Sequence, residues 1–148
     1  MFIKKSMFNI SHIHPMLVHF PIALTLLGVL FSGLRLYKPQ KFIYPCGEYI
    51  LYFATLSAIL AAIAGATLTP NFSDPLLIQA ENIHSTFAGI TVTFLCIASA
   101  FFLIQHFLKK YADKFYRIGF LFYVLAAISV AITGFLGGAL VYNDLLKM

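Results

Sequence analysis

Four long apolar runs occupy most of this sequence, at about residues 15–36, 46–68, 82–108 and 118–142. Each run is close to the roughly 20 residues that an α-helix needs to cross a bilayer. Backbone N–H and C=O groups cannot stay unpaired in lipid, and the runs lack the two-residue alternation of a membrane β-barrel. The sequence therefore predicts an all-α integral membrane protein with four transmembrane helices.

The composition and the short connections refine this prediction. Of the 148 residues, 61% are hydrophobic and only 10% are charged, whereas ordinary globular domains carry about a quarter charged residues. Lipid must therefore solvate much of the surface. Short connections make consecutive helices antiparallel neighbours. We expect one domain over residues 1–148, folded as an antiparallel up-down four-helix bundle.

The basic residues are distributed unevenly between the two sides of the predicted bundle. Three basic residues lie on the side of the two termini, namely Lys4, Lys5 and Lys147. The connections after the first and third runs carry the other seven, namely Arg35, Lys38, Lys41, Lys109, Lys110, Lys114 and Arg117. Cytoplasmic loops of membrane proteins are enriched in Lys and Arg. The count places these connections in the cytoplasm and both termini outside, although Lys4 and Lys5 favour the reverse. A nucleic-acid partner is not expected from charges arranged in this way.

Histidines are the strongest candidates for chemistry. His19 lies about four residues into the first run, or roughly 6 Å along a helix, and His84 lies at a similar depth in the third run. Both helices run inward from the same face, so their imidazoles can meet. A histidine from each of two bundle helices is a common way to hold a b-type haem. The predicted haem ligands are therefore His19 and His84, with His14 as an alternative ligand or as a group that orients one.

Other interpretations of the histidines stay open. Neutral imidazole also binds zinc or copper, although no Cys or carboxylate cluster accompanies these residues to complete a tetrahedral site. His14 and His19 are five residues apart, which turns them about 140° from each other on one helix. We interpret His12 as part of a solvated tail, and His106 as a headgroup-level residue that bonds a carbonyl.

Catalytic signatures are missing from the sequence. It contains no nucleophile elbow, phosphate-binding loop or HExxH motif, so no catalytic residue is assigned. The acidic residues are expected near the two membrane surfaces, with Glu48 and Asp113 at the basic side. No carboxylate is expected in mid-membrane, which argues against a proton pump or a cation-coupled transporter. Whether the protein is an enzyme stays open, with a quinone-linked redox protein as the candidate.

Three segments resemble one widespread bacterial membrane family, catalogued as domain of unknown function 2231. The segment HPMLVHFPIAL at residues 14–24 is similar to its signature, and HSTFAG at 84–89 and GGALVY at 137–142 fit the same pattern. The resemblance implies a four-helix protein of the bacterial inner membrane. Some relatives are fused or adjacent to Rieske or c-type cytochrome domains, which implies membrane electron transfer. By position, the family's histidines here are His14, His19 and His84.

Together these observations favour a membrane electron-transfer protein that resembles a b-type cytochrome. Its haem b would lie near the outer face, and electrons would pass between a membrane quinol and a redox partner protein. One alternative is a non-enzymatic accessory subunit or a membrane protein that binds a transition metal. A metal-ion permease component is a third possibility.

Overall fold

The structure is a computed structural model that describes residues 13–37, 43–68 and 73–146. Its helices are α1 (Ile13–Leu17), α2 (His19–Tyr37), α3 (Ile43–Leu68), α4 (Pro75–Phe107) and α5 (Ala112–Leu146), and a 3₁₀ turn at Lys109–Tyr111 separates the last two. The four long helices, α2 to α5, are each long and apolar enough to cross a membrane. The predicted all-α class and the four transmembrane helices are confirmed.

Two helices begin well before the apolar runs that mark them. α4 starts at Pro75, where the Asp74 side chain caps the helix by accepting a hydrogen bond from the Leu76 N–H at 2.9 Å. Proline suits this first position because its missing N–H would be unpaired there in any case. α5 starts at Ala112, directly after the 3₁₀ turn. Hydropathy marks the part of a helix that lipid covers and omits polar turns beyond it.

α1 and α2 form one interrupted helix, with a turn at Val18 between them. Pro21 has no N–H to donate to the carbonyl of Leu17, so the regular ladder breaks at this point. The bonds on either side persist, from the Val18 N–H to His14 at 3.1 Å and from the Ile22 N–H to Val18 at 3.4 Å.

The helices pack as two hairpins, α2–α3 and α4–α5, which are joined by less extensive contacts. The core between them contains Leu51, Leu95, Phe102 and Tyr123, all fully buried. The Tyr123 hydroxyl occupies the space beside Gly28 that a Cβ atom would fill. Glycine therefore permits the close approach of α5 to α2 that brings the second hairpin onto the first.

Large apolar side chains cover the outside of the bundle, which agrees with a lipid-solvated surface. Examples on three helices are Leu30, Phe53 and Leu121, each more than half exposed. Several residues used for the orientation count lie outside the described residues, namely Lys4, Lys5, Lys38, Lys41 and Lys147, and so does His12. The predicted orientation therefore stays a prediction.

Candidate functional site

The His14 and His84 side chains form a pair at one end of the bundle, which we call the histidine end. Their ring centroids lie 6.4 Å apart, and their planes are inclined by 83°. His14 comes from α1, which precedes the first hairpin and packs on α3, and His84 comes from α4 in the second hairpin. With α1 counted with the first hairpin, each hairpin thus contributes one imidazole to a shared position between them.

A backbone carbonyl of α3 orients the His14 ring. Its Nδ1 lies 3.0 Å from the Ala61 carbonyl oxygen. A carbonyl only accepts hydrogen bonds, so Nδ1 carries the proton and a neutral ring keeps its lone pair on Nε2. Burial lowers the pKa of His14, and the hydrogen bond to Ala61 only partly offsets this. The neutral form, which binds metals, is therefore favoured.

The His84 ring is held in the same way by α5. Its Nδ1 lies 3.1 Å from the Thr133 carbonyl oxygen, so Nδ1 again donates and the lone pair lies on Nε2. Hydrogen bonding of the distal ring nitrogen to a carbonyl is the usual device that fixes the tautomer and direction of a metal-binding histidine.

One glycine beside each histidine makes the two halves equivalent. Gly65 lies four residues after Ala61, and Gly137 lies four residues after Thr133. A Cβ atom at either glycine would come within 2.9 Å of the Cε1 atom of the adjacent imidazole. The arrangement of histidine, carbonyl and glycine thus occurs once in each hairpin.

Hydroxyl groups join α4 and α5 just below His84. Thr91 and Ser129 are hydrogen-bonded at 2.8 Å, and the Ser129 hydroxyl donates to the Phe87 carbonyl at 3.1 Å. The Thr133 hydroxyl donates to the Ser129 carbonyl at 2.8 Å. These bonds stabilise the turn of α5 that contains Thr133. The carbonyl of Thr133 accepts the hydrogen bond from His84 Nδ1 and so orients that ring.

The structure places the three predicted ligands differently from the leading expectation. His84 lies in the pair, but the ring that contacts it belongs to His14, which sequence reasoning had made the alternative. His19 is exposed on α2. The two residues lie on opposite sides of the interruption at Val18, His14 on α1 and His19 at the start of α2.

A second polar cluster lies at the opposite end, which we call the basic end. Glu48 of α3 is only 7% exposed and forms an ion pair with Arg35 of α2. Its carboxylate also accepts a hydrogen bond from Gln105 Nε2 at 2.8 Å and contacts His106 Nε2 at 2.8 Å. One carboxylate therefore connects α2, α3 and α4.

One interpretation made from the sequence was wrong at this end. His106 bonds the Glu48 carboxylate rather than a backbone carbonyl. Glu48 lies near the start of α3, at the basic side as expected, and its side chain is buried in the bundle. The sequence does contain a feature that could have indicated this cluster. Glu48 is a carboxylate near the start of the second apolar run, and Arg35 is a basic residue in the last turn of the preceding helix.

Tyr116 of α5 completes the cluster at the basic end. The Arg35 guanidinium carbon lies 3.8 Å from the centre of the Tyr116 ring, a distance typical of cation–π contact. The Tyr116 hydroxyl donates to the Ser32 carbonyl at 2.8 Å. All four long helices are therefore tied together at this end.

The donor set limits which metal groups suit the histidine end. Within residues 13–37, 43–68 and 73–146, no group of three or more His, Cys, Asp or Glu side chains is placed to hold a metal ion. Structural zinc sites use four protein ligands. Among the described residues, the histidine end supplies two such ligands, His14 and His84.

Comparison with known proteins gives a family and no activity. The family model described as "Predicted membrane protein (DUF2231)" matches residues 11–148. No curated protein and no solved structure matches the chain.

Proposed function

Since the chain belongs to the DUF2231 family of predicted membrane proteins, a description that assigns no chemistry, we propose a function from its own residues. The protein is a membrane electron-transfer protein of the b-type cytochrome kind. One haem lies at the histidine end, with His14 and His84 as the axial ligands.

The spacing of the two imidazoles supports this proposal. A metal–nitrogen distance of about 2.0–2.1 Å places the centres of two rings roughly 6 Å apart when they bind opposite sides of one ion. At a tetrahedral angle the same rings would be roughly 5 Å apart. The observed separation of 6.4 Å is closer to the value for ligands on opposite sides, the arrangement that a six-coordinate haem needs. This is the observation on which the proposal rests.

The position of the pair between the hairpins suits a flat macrocycle. Each hairpin holds its own histidine through its own carbonyl, at Ala61 and Thr133. Contacts between the hairpins are less extensive than contacts within them, so a porphyrin inserted there disturbs the weaker interface. Gly65 and Gly137 keep the rims of the imidazoles clear of side chains.

A single haem at one end restricts where electrons are exchanged. At the basic end, the imidazole of His106 is engaged with Glu48. Electrons would therefore enter and leave near the histidine end, between a membrane quinol and a redox partner protein at that surface. With the basic end in the cytoplasm, that surface is the periplasmic face of a bacterial inner membrane.

The experiment that tests this function is a visible spectrum of the detergent-purified protein, expressed with added haem precursor and recorded before and after dithionite. A low-spin b-type haem gives a Soret band and sharp α and β bands on reduction. We expect about one haem per chain, because the two hairpins together form one site. A featureless spectrum contradicts the proposal, and metal analysis of the same sample would then show whether zinc or copper occupies the histidines.

The two adjacent glycines of α5 provide a matched test of the haem geometry. In Gly137→Ala the new methyl comes within 2.9 Å of His84 Cε1, whereas at Gly138 nothing lies within 4 Å of a new Cβ. Overpacking of this kind costs about 1–3 kcal/mol, so we expect Gly137→Ala to weaken haem binding by about tenfold or more. Titration of apoprotein with haem measures the effect.

Gly138→Ala is the control, because both substitutions replace glycine within the same helix and change its propensity equally. We expect wild-type haem affinity in this variant. Equal losses of haem affinity in both variants would show that the substitutions disturb α5 in general and do not act through the His84 ring.

A further inference from the structure

A cavity at the basic end has no part in the proposed haem site. Its volume is about 170 Å³, and it lies between the last turn of α2 and the first turns of α5. The residues that line it are Arg35, Leu36, Asp113, Tyr116 and Arg117. Arginine is the residue that most often binds phosphate groups in proteins, and two arginines line this one cavity.

Arg35 is held in place by its neighbours. Its Nη1 pairs with the Glu48 carboxylate, and its guanidinium group stacks on the Tyr116 ring. Glu48 is itself fixed by Gln105 at 2.8 Å. An arginine positioned in this way loses little side-chain entropy when a ligand binds, whereas Arg117 is exposed at the rim.

Basic side chains outnumber acidic ones around the cavity, which favours an anionic ligand such as a phosphodiester. Arg35 and Arg117 line it together with Asp113, and Glu48 pairs with Arg35. Exposed Lys109, Lys110 and Lys114 lie at the same end of the bundle and raise the local concentration of anions. Basic pockets between transmembrane helices are known binding places for anionic lipid headgroups.

The location of the cavity favours a lipid over a dissolved anion. It lies where α2 ends and α5 begins, at the ends of two apolar spans. Lipid headgroups are found at this level of a membrane protein. Leu36 lines it and is 44% exposed, which offers an apolar contact to the first part of an acyl chain. We propose that this cavity binds the phosphodiester group of an anionic phospholipid in the leaflet at the basic end.

The test measures lipid binding to the delipidated, full-length protein in detergent. Native mass spectrometry counts bound lipids, and thermal unfolding is followed with added phosphatidylglycerol, with phosphatidylcholine of the same acyl chains, or with inorganic phosphate. We expect the protein to bind one molecule of added phosphatidylglycerol and its Tm to rise. Phosphatidylcholine and inorganic phosphate should have little effect on the Tm. Because the readout is lipid binding, it is independent of whether haem is bound.

Variants at the cavity separate a built site from diffuse attraction. Arg117→Gln should weaken phosphatidylglycerol binding by about tenfold or more, since a hydrogen bond to a charged group is lost. Arg117→Lys should also weaken it, because lysine keeps the charge but loses the fork of donors. Asp113→Asn should strengthen it by removing the opposing carboxylate.

Lys110→Gln is the matched control, since it removes one positive charge from the same end at a side chain that does not line the cavity. Lys110→Gln should weaken phosphatidylglycerol binding by no more than roughly fivefold, which is the effect expected of one surface charge near an anionic membrane. The proposal is overturned if Lys110→Gln and Arg117→Gln weaken binding equally, or if phosphatidylcholine binds as well as phosphatidylglycerol. It is also overturned if inorganic phosphate alone reproduces the shift in Tm, which would indicate a site for free anions.

Discussion

Replacing either His14 or His84 by alanine is expected to abolish the low-spin haem spectrum, whereas His19→Ala should leave it unchanged. Each of the first two changes removes the only axial ligand that one hairpin supplies to the proposed site. The loss of haem affinity should be at least roughly 10–100-fold, which is the usual effect of removing only a hydrogen-bonding partner of a metal ligand. The measurement is the reduced-minus-oxidised spectrum of each variant, scaled to haem and protein content.

This comparison also separates the two possible pairings. If His19→Ala loses the haem while His14→Ala keeps it, the ligands are His19 and His84, as the sequence alone favoured. Circular dichroism and gel filtration of the apoproteins establish that each variant is folded. Added imidazole provides a second check, because it can replace a missing axial ligand and restore the low-spin spectrum only if the haem is still held by the other histidine.

Replacing Glu48 by alanine is expected to destabilise the protein by about 3–5 kcal/mol, the usual cost of removing one partner from a buried ion pair. The substitution leaves Arg35, whose side chain is only 17% exposed, without its carboxylate. It also removes the acceptor of Gln105, which is 4% exposed. Equilibrium unfolding in mixed micelles of increasing denaturing detergent measures the change in the free energy of unfolding.

Three further variants test the physical cause. His106→Ala should lower the free energy of unfolding by no more than about 1 kcal/mol. Its side chain is 59% exposed, and ion pairs at the surface contribute little to stability. Asp113→Ala, which removes an exposed carboxylate at the same end, should have an equally small effect. The double variant Arg35→Met/Glu48→Leu should be more stable than Glu48→Ala, since apolar side chains can replace a buried pair. A double variant as unstable as Glu48→Ala would contradict this account.

Hydropathy predicted the architecture well because lipid imposes a local rule on each span. A helix that satisfies its own backbone and presents apolar side chains needs no information from elsewhere in the chain. The four long helices were therefore predictable, and so was the unusual placement of His84 inside an apolar run. Hydropathy did not mark the first turns of α4 and α5, since those turns lie outside the apolar windows.

The candidate sites depended on contacts between residues far apart in the chain. His14 meets an α3 carbonyl 47 residues away, and His84 meets an α5 carbonyl 49 residues away. Glu48 is partnered by side chains 13, 57 and 58 residues distant. Helical spacing gave the angle between His14 and His19, but it contains no information on which of the two faces the neighbouring helix.

The sequence by itself determined that this protein is a four-helix membrane protein and that histidines near one end are its candidates for chemistry. These properties follow from transfer of side chains into lipid, which depends on each segment alone. Only the tertiary structure decided that His14 is the partner of His84 and that Glu48 is buried. Both outcomes depend on how the helices pack against one another, because a side chain finds its hydrogen-bonding partner only when another helix brings that partner within about 3 Å.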